Sequence, residues 1–381
     1  MDDIHIPLSS PDVGEAEIQA VVDVMRTRHL SLGPKVPEFE DAFRAYLNVE
    51  HAVAMNSGTS ALHCCLLGLN IGPGDEVITT PFSFIASSNV IKMAGATPVF
   101  ADIESTSLNM DPELAARAIT PKTRAILGVE AFGNPAGMHE IARLAASHEI
   151  PLIEDSCEGL GSSHKKRKVG TFGRCGVFGF YPNKQITTGE GGMVVTNDSK
   201  LADMCRSLRN QGRDPGASWL SHARLGFNYR LSDINAAIGI VQMKRIDEIV
   251  EARQRVAHTY VQHLLDEPHI ILPTIDADTV MSWFVFVVRL TGDLGAADRD
   301  AILAYLRNHH IGCSNYFPPI HLQPFYMQDH GCKAGDYPVT EYVADRTIAL
   351  PFHNRLSTLE IENVVSHLRQ AIGHRLSQKS A

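Results

Sequence analysis

The sequence predicts an α/β protein in which a mostly parallel sheet is covered by helices on both faces, followed by a smaller α+β domain. Three observations carry this prediction. Short apolar runs alternate with helix-like segments from about residue 50 to 155, and a stretch with helical periodicity and no proline follows between residues 231 and 265. Strand-like and helical patterns then alternate again toward the C-terminus. Such alternation is typical of parallel sheets that are buried on both faces.

The first half of the chain supplies the elements of the large sheet. Its short apolar runs are predicted strands at His51–Met55, Glu76–Thr79, Thr97–Ala101, Ala125–Val129, Pro151–Glu154, Cys175–Tyr181 and Gly192–Thr196. The segments between them have helical periodicity and are predicted helices at Ser60–Leu69, Ile85–Ala94, Pro112–Ile119 and Met138–His148. We expect these elements to form a large domain of residues 1–245, which includes an N-terminal segment.

The second half is predicted to leave this domain through a helical stretch. Leu231–Leu265 is interpreted as one or two long helices, and Trp283–Leu290 as a strand. Asp298–Asn308 and Leu359–Ile372 are predicted helices, the latter closing the chain. A small C-terminal α+β domain of residues 246–381 follows from these elements.

Composition excludes several classes of protein. Of the 381 residues, 44% are hydrophobic and 20% are charged, which is typical of a globular protein with a large core. The net charge of −9 argues against broad binding to nucleic acid or to an anionic membrane surface. The acidic start, Met1–His5, predicts no secretory signal, and the longest apolar run, Trp283–Val288, is too short to cross a bilayer. Seven cysteines without Cys-x-x-Cys spacing indicate a reducing compartment, so we expect a cytoplasmic enzyme. The 18 histidines show no ligand spacing, and no metal site is predicted.

A candidate anion site follows the first predicted strand. The residues Asn56-Ser57-Gly58-Thr59-Ser60 open a helix, where free backbone N–H groups and the helix dipole favour a phosphate. The hydroxyls of Thr59 and Ser60 could add two donors. The same residue types suit an ordinary helix N-cap, so this motif alone leaves both interpretations open.

Asp155 and Lys184 extend the pattern. Asp155 ends a buried strand, at the sheet edge where α/β proteins bind ligands, and a buried aspartate needs a partner such as a protonated ring nitrogen. Lys184 lies between two apolar strands beside a glycine-rich turn, and a desolvated lysine is a nucleophile for carbonyl groups. A turn aspartate and a solvated lysine are the plainer alternatives. Anion site, aspartate and lysine together meet the needs of pyridoxal phosphate (PLP), which requires a phosphate site, a protonated pyridine nitrogen and an imine-forming amine.

Ordered motifs along nearly the whole chain point to one family. They are His29-Leu30-Ser31-Leu32-Gly33-Pro34, Gly58-Thr59-Ser60-Ala61-Leu62, Pro81-Phe82-Ser83-Phe84, Glu154-Asp155, Asn183-Lys184 with Thr188-Gly189-Glu190-Gly191-Gly192, Asn228-Tyr229-Arg230-Leu231-Ser232-Asp233, and Tyr316-Phe317-Pro318-Pro319-Ile320-His321-Leu322. At these residues the sequence resembles the DegT/DnrJ/EryC1/StrS family of sugar aminotransferases, which are fold-type-I PLP enzymes. The resemblance implies the fold-type-I PLP-transferase architecture.

The resemblance also implies roles for individual residues. Lys184 would form the covalent imine with the cofactor and, once released, move a proton between substrate carbon and cofactor. Asp155 would pair with the pyridinium nitrogen. The other implied cofactor-binding residues are Gly58, Thr59 and Ser60 at the phosphate, Phe84 on the ring face, Glu158 near the phenolic oxygen, and Asn228 at the phosphate of the neighbouring subunit. Gly33, Arg230, Tyr316 and His321 would line the sugar or glutamate site.

Three positions are compared with the family pattern. The family often has Gln where this chain has Glu158, and a carboxylate facing the phenolic oxygen would need a proton or a different hydrogen bond. It usually has a phosphate-binding Ser five residues before the lysine, where this chain has Gly179. The dehydratase branch replaces the lysine with His, whereas this chain keeps Lys184.

The resemblance implies a PLP-dependent aminotransferase that converts a nucleotide-linked keto-deoxysugar, a 4-keto-6-deoxy sugar in the favoured interpretation, with L-glutamate as donor. A role in amino-sugar and polysaccharide biosynthesis and a homodimer with shared active sites are expected, without nucleic-acid or membrane partners. The alternatives are an aminocyclitol or other keto-sugar transaminase of the same family, a PLP-binding regulatory or sensory protein without turnover, and a PLP lyase or aldolase.

Overall fold

A computed structural model describes residues 5–214, 216, 218 and 220–380. The first four residues, on which the prediction of no secretory signal partly rests, lie outside the described residues. None of the described helices is both long enough and apolar enough to span a membrane.

Helices and strands alternate along most of the chain. The helices are α1 Glu15–Met25, α2 Lys35–Leu47, α3 Gly58–Gly68, α4 Ala86–Met93, α5 Pro112–Arg117, α6 Met138–Ser147, α7 Ser199–Arg209, α8 Asp233–Lys244, α9 Ile246–Leu264, α10 Ala296–Asn308, α11 Pro324–His330, α12 Pro338–Ala344 and α13 Thr358–Ser380. The strands are β1 His51–Met55, β2 Glu76–Thr79, β3 Thr97–Phe100, β4 Thr123–Val129, β5 Leu152–Asp155, β6 Ser163–His164, β7 Arg167–Lys168, β8 Cys175–Gly179, β9 Gly192–Thr196, β10 Ile270–Ile271, β11 Thr279–Val280, β12 Phe286–Leu290 and β13 Thr347–Leu350.

The seven strands predicted for the first half form one sheet in the order β1-β9-β8-β5-β4-β2-β3. Neighbouring strands pair in parallel from β8 to β3, whereas β9 is antiparallel to both β1 and β8. The predicted α/β class with a mostly parallel sheet is therefore confirmed. The antiparallel strand follows from connectivity, because the chain returns from β8 to β9 through a loop and not through a crossover helix.

Apolar side chains cover both faces of this sheet. On β4, Leu127 and Val129 pack in one cluster with residues of α3 and α7, while Ile126 packs in a second cluster with residues of α2 and α6. This alternation follows from the two-residue period of a strand, which sends successive side chains to opposite faces. Helices on both sides bury the sheet and leave its strand ends as the accessible edges.

A second core lies in the C-terminal part of the chain. The three-stranded sheet β10-β12-β13 packs with residues of α9, α10 and α13. The predicted helical stretch forms two helices, α8 and α9, which meet at Arg245. The predicted boundary between residues 245 and 246 coincides with this junction, and the division into two domains stays a prediction.

The strand predicted at Trp283–Leu290 begins three residues later, at Phe286. Trp283 has φ +56°, in the left-handed region that bulky residues rarely adopt. The hydrophobicity of Trp283 and its neighbours reflects burial and not strand pairing. The turn they form reaches the site described below.

Candidate active site

The site lies where β5 ends, where α3 begins, and in the loop between β8 and β9. Asp155 is the last residue of β5. The first turn of α3 directly follows β1, and Lys184 lies in the loop after β8. Ligands of α/β sheets bind at the carboxyl ends of the parallel strands, where connecting loops can carry polar groups.

Asp155 is a buried carboxylate with neutral partners. Its Oδ2 accepts a hydrogen bond from the Ser87 hydroxyl at 2.6 Å, and its Oδ1 accepts one from the Cys157 N–H at 3.3 Å. Only 7% of Asp155 is exposed. A buried negative charge with only neutral partners is costly, so this position suits a cationic ligand such as a protonated ring nitrogen.

The start of α3 combines an N-cap with a close backbone approach. Ser57 is the N-cap, and its Oγ accepts the N–H of Ser60 at 3.0 Å. The plainer N-cap interpretation is therefore correct for Ser57, while an N-terminal turn still has further N–H groups for an anion. A Cβ on Gly192 would lie 2.4 Å from the Ser57 carbonyl carbon, and a Cβ on Gly58 would lie 2.7 Å from Cys157 Sγ. Only glycine at these two positions lets β9, α3 and the Asp155 loop meet.

Lys184 lies between a carboxylate and an aromatic ring. Its Nζ is 3.4 Å from Glu158 Oε1 and 3.8 Å from the centroid of the Phe284 ring. The second Glu158 oxygen accepts the N–H of Phe132 at 2.8 Å. Burial raises the pKa of Glu158, and the charge of Lys184 opposes that rise. Glu158 is thus directed at the lysine, a contact that the sequence did not indicate.

Two aromatic residues border this cluster. Phe84 precedes α4 and is 61% exposed, so one large apolar ring is free to cover a ligand. Ser87, in the first turn of α4, has a hydroxyl that contacts the Phe84 carbonyl at 3.2 Å as well as Asp155. Tyr316 stacks on Phe284 with an interplanar angle of 9°. Burial raises the pKa of Tyr316, and the nearby Glu158 carboxylate adds to that rise.

The other residues predicted for the substrate have contacts elsewhere in the chain. The N–H of Gly33 donates to Asp233 Oδ2 at 2.8 Å, and Arg230 Nη1 donates to Asn210 Oδ1 at 3.0 Å. His321 is fully buried, with Nε2 3.0 Å from Glu341 Oε1 and its ring edge-on to Tyr337. These contacts are structural, and roles in substrate binding stay predictions for these three residues.

Asn228 is exposed and lies beside the start of the α3 region. Its carbonyl accepts from Asn56 Nδ2 at 3.4 Å, and the following carbonyl, that of Tyr229, accepts the Asn56 N–H at 2.9 Å. Thr59 is partly exposed at the helix start. Because the amide of Asn228 is exposed, it could contact a second subunit. Its predicted role at the phosphate of the neighbouring subunit stays a prediction.

Sequence reasoning missed residues that tertiary contacts bring to the site. Ser87 fixes Asp155, and Phe284 covers Lys184, although neither belongs to the motifs quoted above. Glu130, directly after β4, is fully buried, and burial and the neighbouring Glu154 raise its pKa well above the usual range. Burial also raises the pKa of Glu154 to about 7, while its oxygens accept the N–H groups of Gly170 and Gly173. A carboxylate directly after an apolar strand was the only available signal for Glu130.

The site residues therefore fit PLP. Asp155 offers a buried carboxylate for the ring nitrogen, the α3 start offers N–H and hydroxyl groups for the phosphate, and Lys184 offers a largely buried amine. Gly179 provides no side chain, and a Cβ there would lie 3.3 Å from Cys157 Sγ. The thiol of Cys157 therefore packs against Gly179 on the side where a side chain would begin.

Comparison with known proteins identifies the family. Residues 11–369 match the model of the DegT/DnrJ/EryC1/StrS aminotransferase family. The chain belongs to this family. Its members are PLP-dependent aminotransferases, and this protein is a sugar aminotransferase with the fold-type-I architecture.

Individual relatives cover almost the whole chain. GDP-perosamine synthase of Caulobacter vibrioides is 37% identical over 97% of this chain and 98% of its own length. The spore coat polysaccharide biosynthesis protein SpsC of Bacillus subtilis is 35% identical over 96% of this chain and 97% of its own length. The PMP-form of the putative sugar aminotransferase Spr1654 from Streptococcus pneumoniae superposes with a TM-score of 0.92, at 27% identity over 97% of this chain and 99% of its own.

Proposed function

We propose that this protein transfers an amino group from L-glutamate to a nucleotide-linked 4-keto-6-deoxy sugar, at C4 rather than C3. The main support is the 37% identity, over nearly both full chains, to a protein whose name gives GDP-perosamine as its product. The similarity to SpsC supports a place in polysaccharide biosynthesis. A reducing cytoplasm is the proposed location, consistent with seven free cysteines.

Different residues of the chain would carry out the separate steps of amino transfer. PLP, when bound, supplies the carbonyl that receives the amino group and a ring that withdraws electrons from the reacting bond. Asp155, fixed by Ser87, would hold the proton on the ring nitrogen. Lys184 Nζ would carry the proton to and from the substrate carbon, and Glu158 lies close enough to exchange a proton with it. The first turn of α3 would bind the phosphate, and Phe84 would cover the ring face.

We further propose a homodimer with shared sites. Large apolar side chains are exposed in the stretches of sequence that lead to Gly33 and Asn228: Leu32 at 60%, Leu220 at 79% and Leu225 at 85%. Exposed apolar side chains in one region favour burial by another chain. The exposed Asn228 follows the segment of Leu220 and Leu225, so the same contact would bring it toward the partner's phosphate site.

The visible spectrum of the purified protein with PLP tests the amino-transfer step. L-Glutamate should remove the absorbance band of the bound cofactor, and 2-oxoglutarate should restore it. A band that does not respond to glutamate would indicate another donor, a lyase or a regulatory protein. Lys184→Ala should abolish turnover, and near-normal rates in this variant would contradict the mechanism.

Inhibition by free nucleoside diphosphates tests the substrate class. A nucleotide-linked sugar requires a nucleotide subsite, so GDP, UDP or dTDP should compete with the sugar substrate. An aminocyclitol or other unactivated ring needs no such subsite. Absence of competition by all three diphosphates would favour that alternative, and mass spectrometry of the product would identify the aminated carbon.

A further inference from the structure

Phe284 places an aromatic face directly against the Lys184 nitrogen. Nζ lies 3.8 Å from the ring centroid, within the distance at which an ammonium group interacts with a ring face. Phe284 is buried, with 3% of its surface exposed, and lies about a hundred residues from Lys184 in the sequence. No motif of the sequence includes it.

The turn that carries Phe284 is held by a buried arginine. Arg253 Nε donates to the Trp283 carbonyl at 2.6 Å, and Arg253 Nη2 donates to the Phe284 carbonyl at 2.8 Å. Its Nη1 donates to Asn354 Oδ1 at 3.0 Å, so all three guanidinium nitrogens are used. Trp283 has φ +56° at this point. A bulky residue adopts this backbone only when surrounding contacts impose it, and such residues cluster at functional sites.

The same turn is bonded to the loop that carries Lys184. Gln185 Nε2 donates to the Glu158 carbonyl at 2.6 Å and to Ser282 Oγ at 2.8 Å. The Ser282 N–H in turn donates to Ser162 Oγ at 2.9 Å. Gln185 therefore links the backbone of Glu158 to Ser282, two residues before Phe284, and Lys184 Nζ contacts both the Glu158 carboxylate and the Phe284 ring.

We propose that Phe284 is a positioning residue for Lys184. The ring of Phe284 and the carboxylate of Glu158 together bind the ammonium group of Lys184 whenever that nitrogen is not bonded to the cofactor. Nζ contacts both groups at once, with the carboxylate oxygen 3.4 Å away and the ring centroid 3.8 Å away, so the two contacts together restrict where the ammonium group can lie. Holding a proton-carrying group at one place lowers the entropic cost of each transfer. This inference rests on the amino-transfer role proposed for Lys184.

Chemical labelling of the cofactor-free protein tests this position without turnover. Acetic anhydride reacts with neutral, accessible amines, and mass spectrometry follows the peptide that contains Lys184. Phe284→Leu should label at Lys184 about threefold faster or more, since a ring–ammonium contact of this kind accounts for such a factor. Phe284→Tyr, which keeps the ring face, should label at the wild-type rate.

Two controls separate this effect from general loosening. Phe286→Leu makes the same substitution two residues along, in the core strand β12, and should leave Lys184 labelling unchanged. Labelling of Lys92, which lies 5.5 Å from the Tyr326 ring, serves as an internal reference in every sample. The proposal would be overturned if Lys184 in Phe284→Leu were labelled at the wild-type rate. It would also be overturned if Lys184 in Phe284→Tyr were labelled as fast as in Phe284→Leu.

Steady-state kinetics provide the second readout. Phe284→Leu should lower kcat about threefold or more while the KM for glutamate changes by less than about twofold, because placing Nζ affects proton transfer and not substrate binding. Phe284→Tyr should restore kcat. A protein that shows no response to glutamate contradicts the proposed function, whereas normal turnover with unchanged Lys184 labelling contradicts only the role of Phe284.

Discussion

The hydroxyl of Ser87 donates to Oδ2 of Asp155 at 2.6 Å, although the two residues are 68 positions apart in the sequence. Ser87 lies in α4, and its hydroxyl also contacts Ser83 at 2.9 Å. This contact fixes the orientation of the carboxylate that would face the cofactor ring. A short hydrogen bond to an ionised group is among the stronger polar contacts in proteins.

Removing this hydroxyl should loosen the cofactor. Ser87→Ala is expected to weaken PLP binding by about tenfold, since a hydrogen bond to a charged group contributes on this scale. Titration of the cofactor-free protein with PLP, followed by absorbance, measures the change. Ser88→Ala removes the next hydroxyl of the same helix and should have little effect. Equal dissociation constants for Ser87→Ala and wild type would refute the prediction.

Cys157 and Gly179 should behave as a coupled pair. A Cβ at position 179 would lie 3.3 Å from Cys157 Sγ and 3.4 Å from Cys157 Cβ, so Gly179→Ser alone should not improve PLP binding. In the double variant Cys157→Ala/Gly179→Ser, the space left by the sulfur should let the new hydroxyl reach the phosphate and tighten binding about fivefold. The four dissociation constants form a double-mutant cycle. Additive effects would show that the two positions do not share this space.

The buried acid Glu130 should make stability depend on pH. Burial and Glu154 raise its pKa well above the usual range, so its stabilising contribution is full at acid pH and is lost as the pH rises through the raised value. Glu130→Gln cannot ionise at this position, so its thermal midpoint should fall less than that of wild type as the pH rises from below 4.5, the ordinary pKa of glutamate, into the alkaline range. Melting curves across this range test it, with Glu251→Gln on the exposed face of α9 as control. Parallel curves for Glu130→Gln and wild type would contradict the assignment.

Subunit mixing tests the shared site. Lys184→Ala and Asn228→Ala should each lose most activity as pure proteins. If each site combines Lys184 of one chain with Asn228 of the other, mixed dimers contain one intact site. Random exchange of equal amounts should then restore about a quarter of wild-type activity. A mixture that stays as inactive as its components would mean that both residues serve the same chain's site.

Most of the large sheet could be predicted from the sequence. The strands β1, β2 and β9 have the predicted bounds, because each is a short apolar run with a clear break on either side. The prediction extended one strand to Trp283, since apolar residues are equally hydrophobic in a buried turn. The turn is held by Arg253, whose side chain donates hydrogen bonds to carbonyl groups about thirty residues away in the sequence. The hydrophobic pattern of a sequence does not reveal such contacts.

By itself the sequence determined the α/β class and the family, and it predicted the roles of Asp155 and Lys184, because strand periodicity and short motifs are local properties of the chain. Tertiary structure decided which groups face them: Ser87 on Asp155, and Glu158 and Phe284 on Lys184. It also placed Cys157 within 3.4 Å of where a Cβ at position 179 would lie. These relationships depend on how separate elements pack, and packing is fixed by the shapes and polar contacts of residues far apart in the chain.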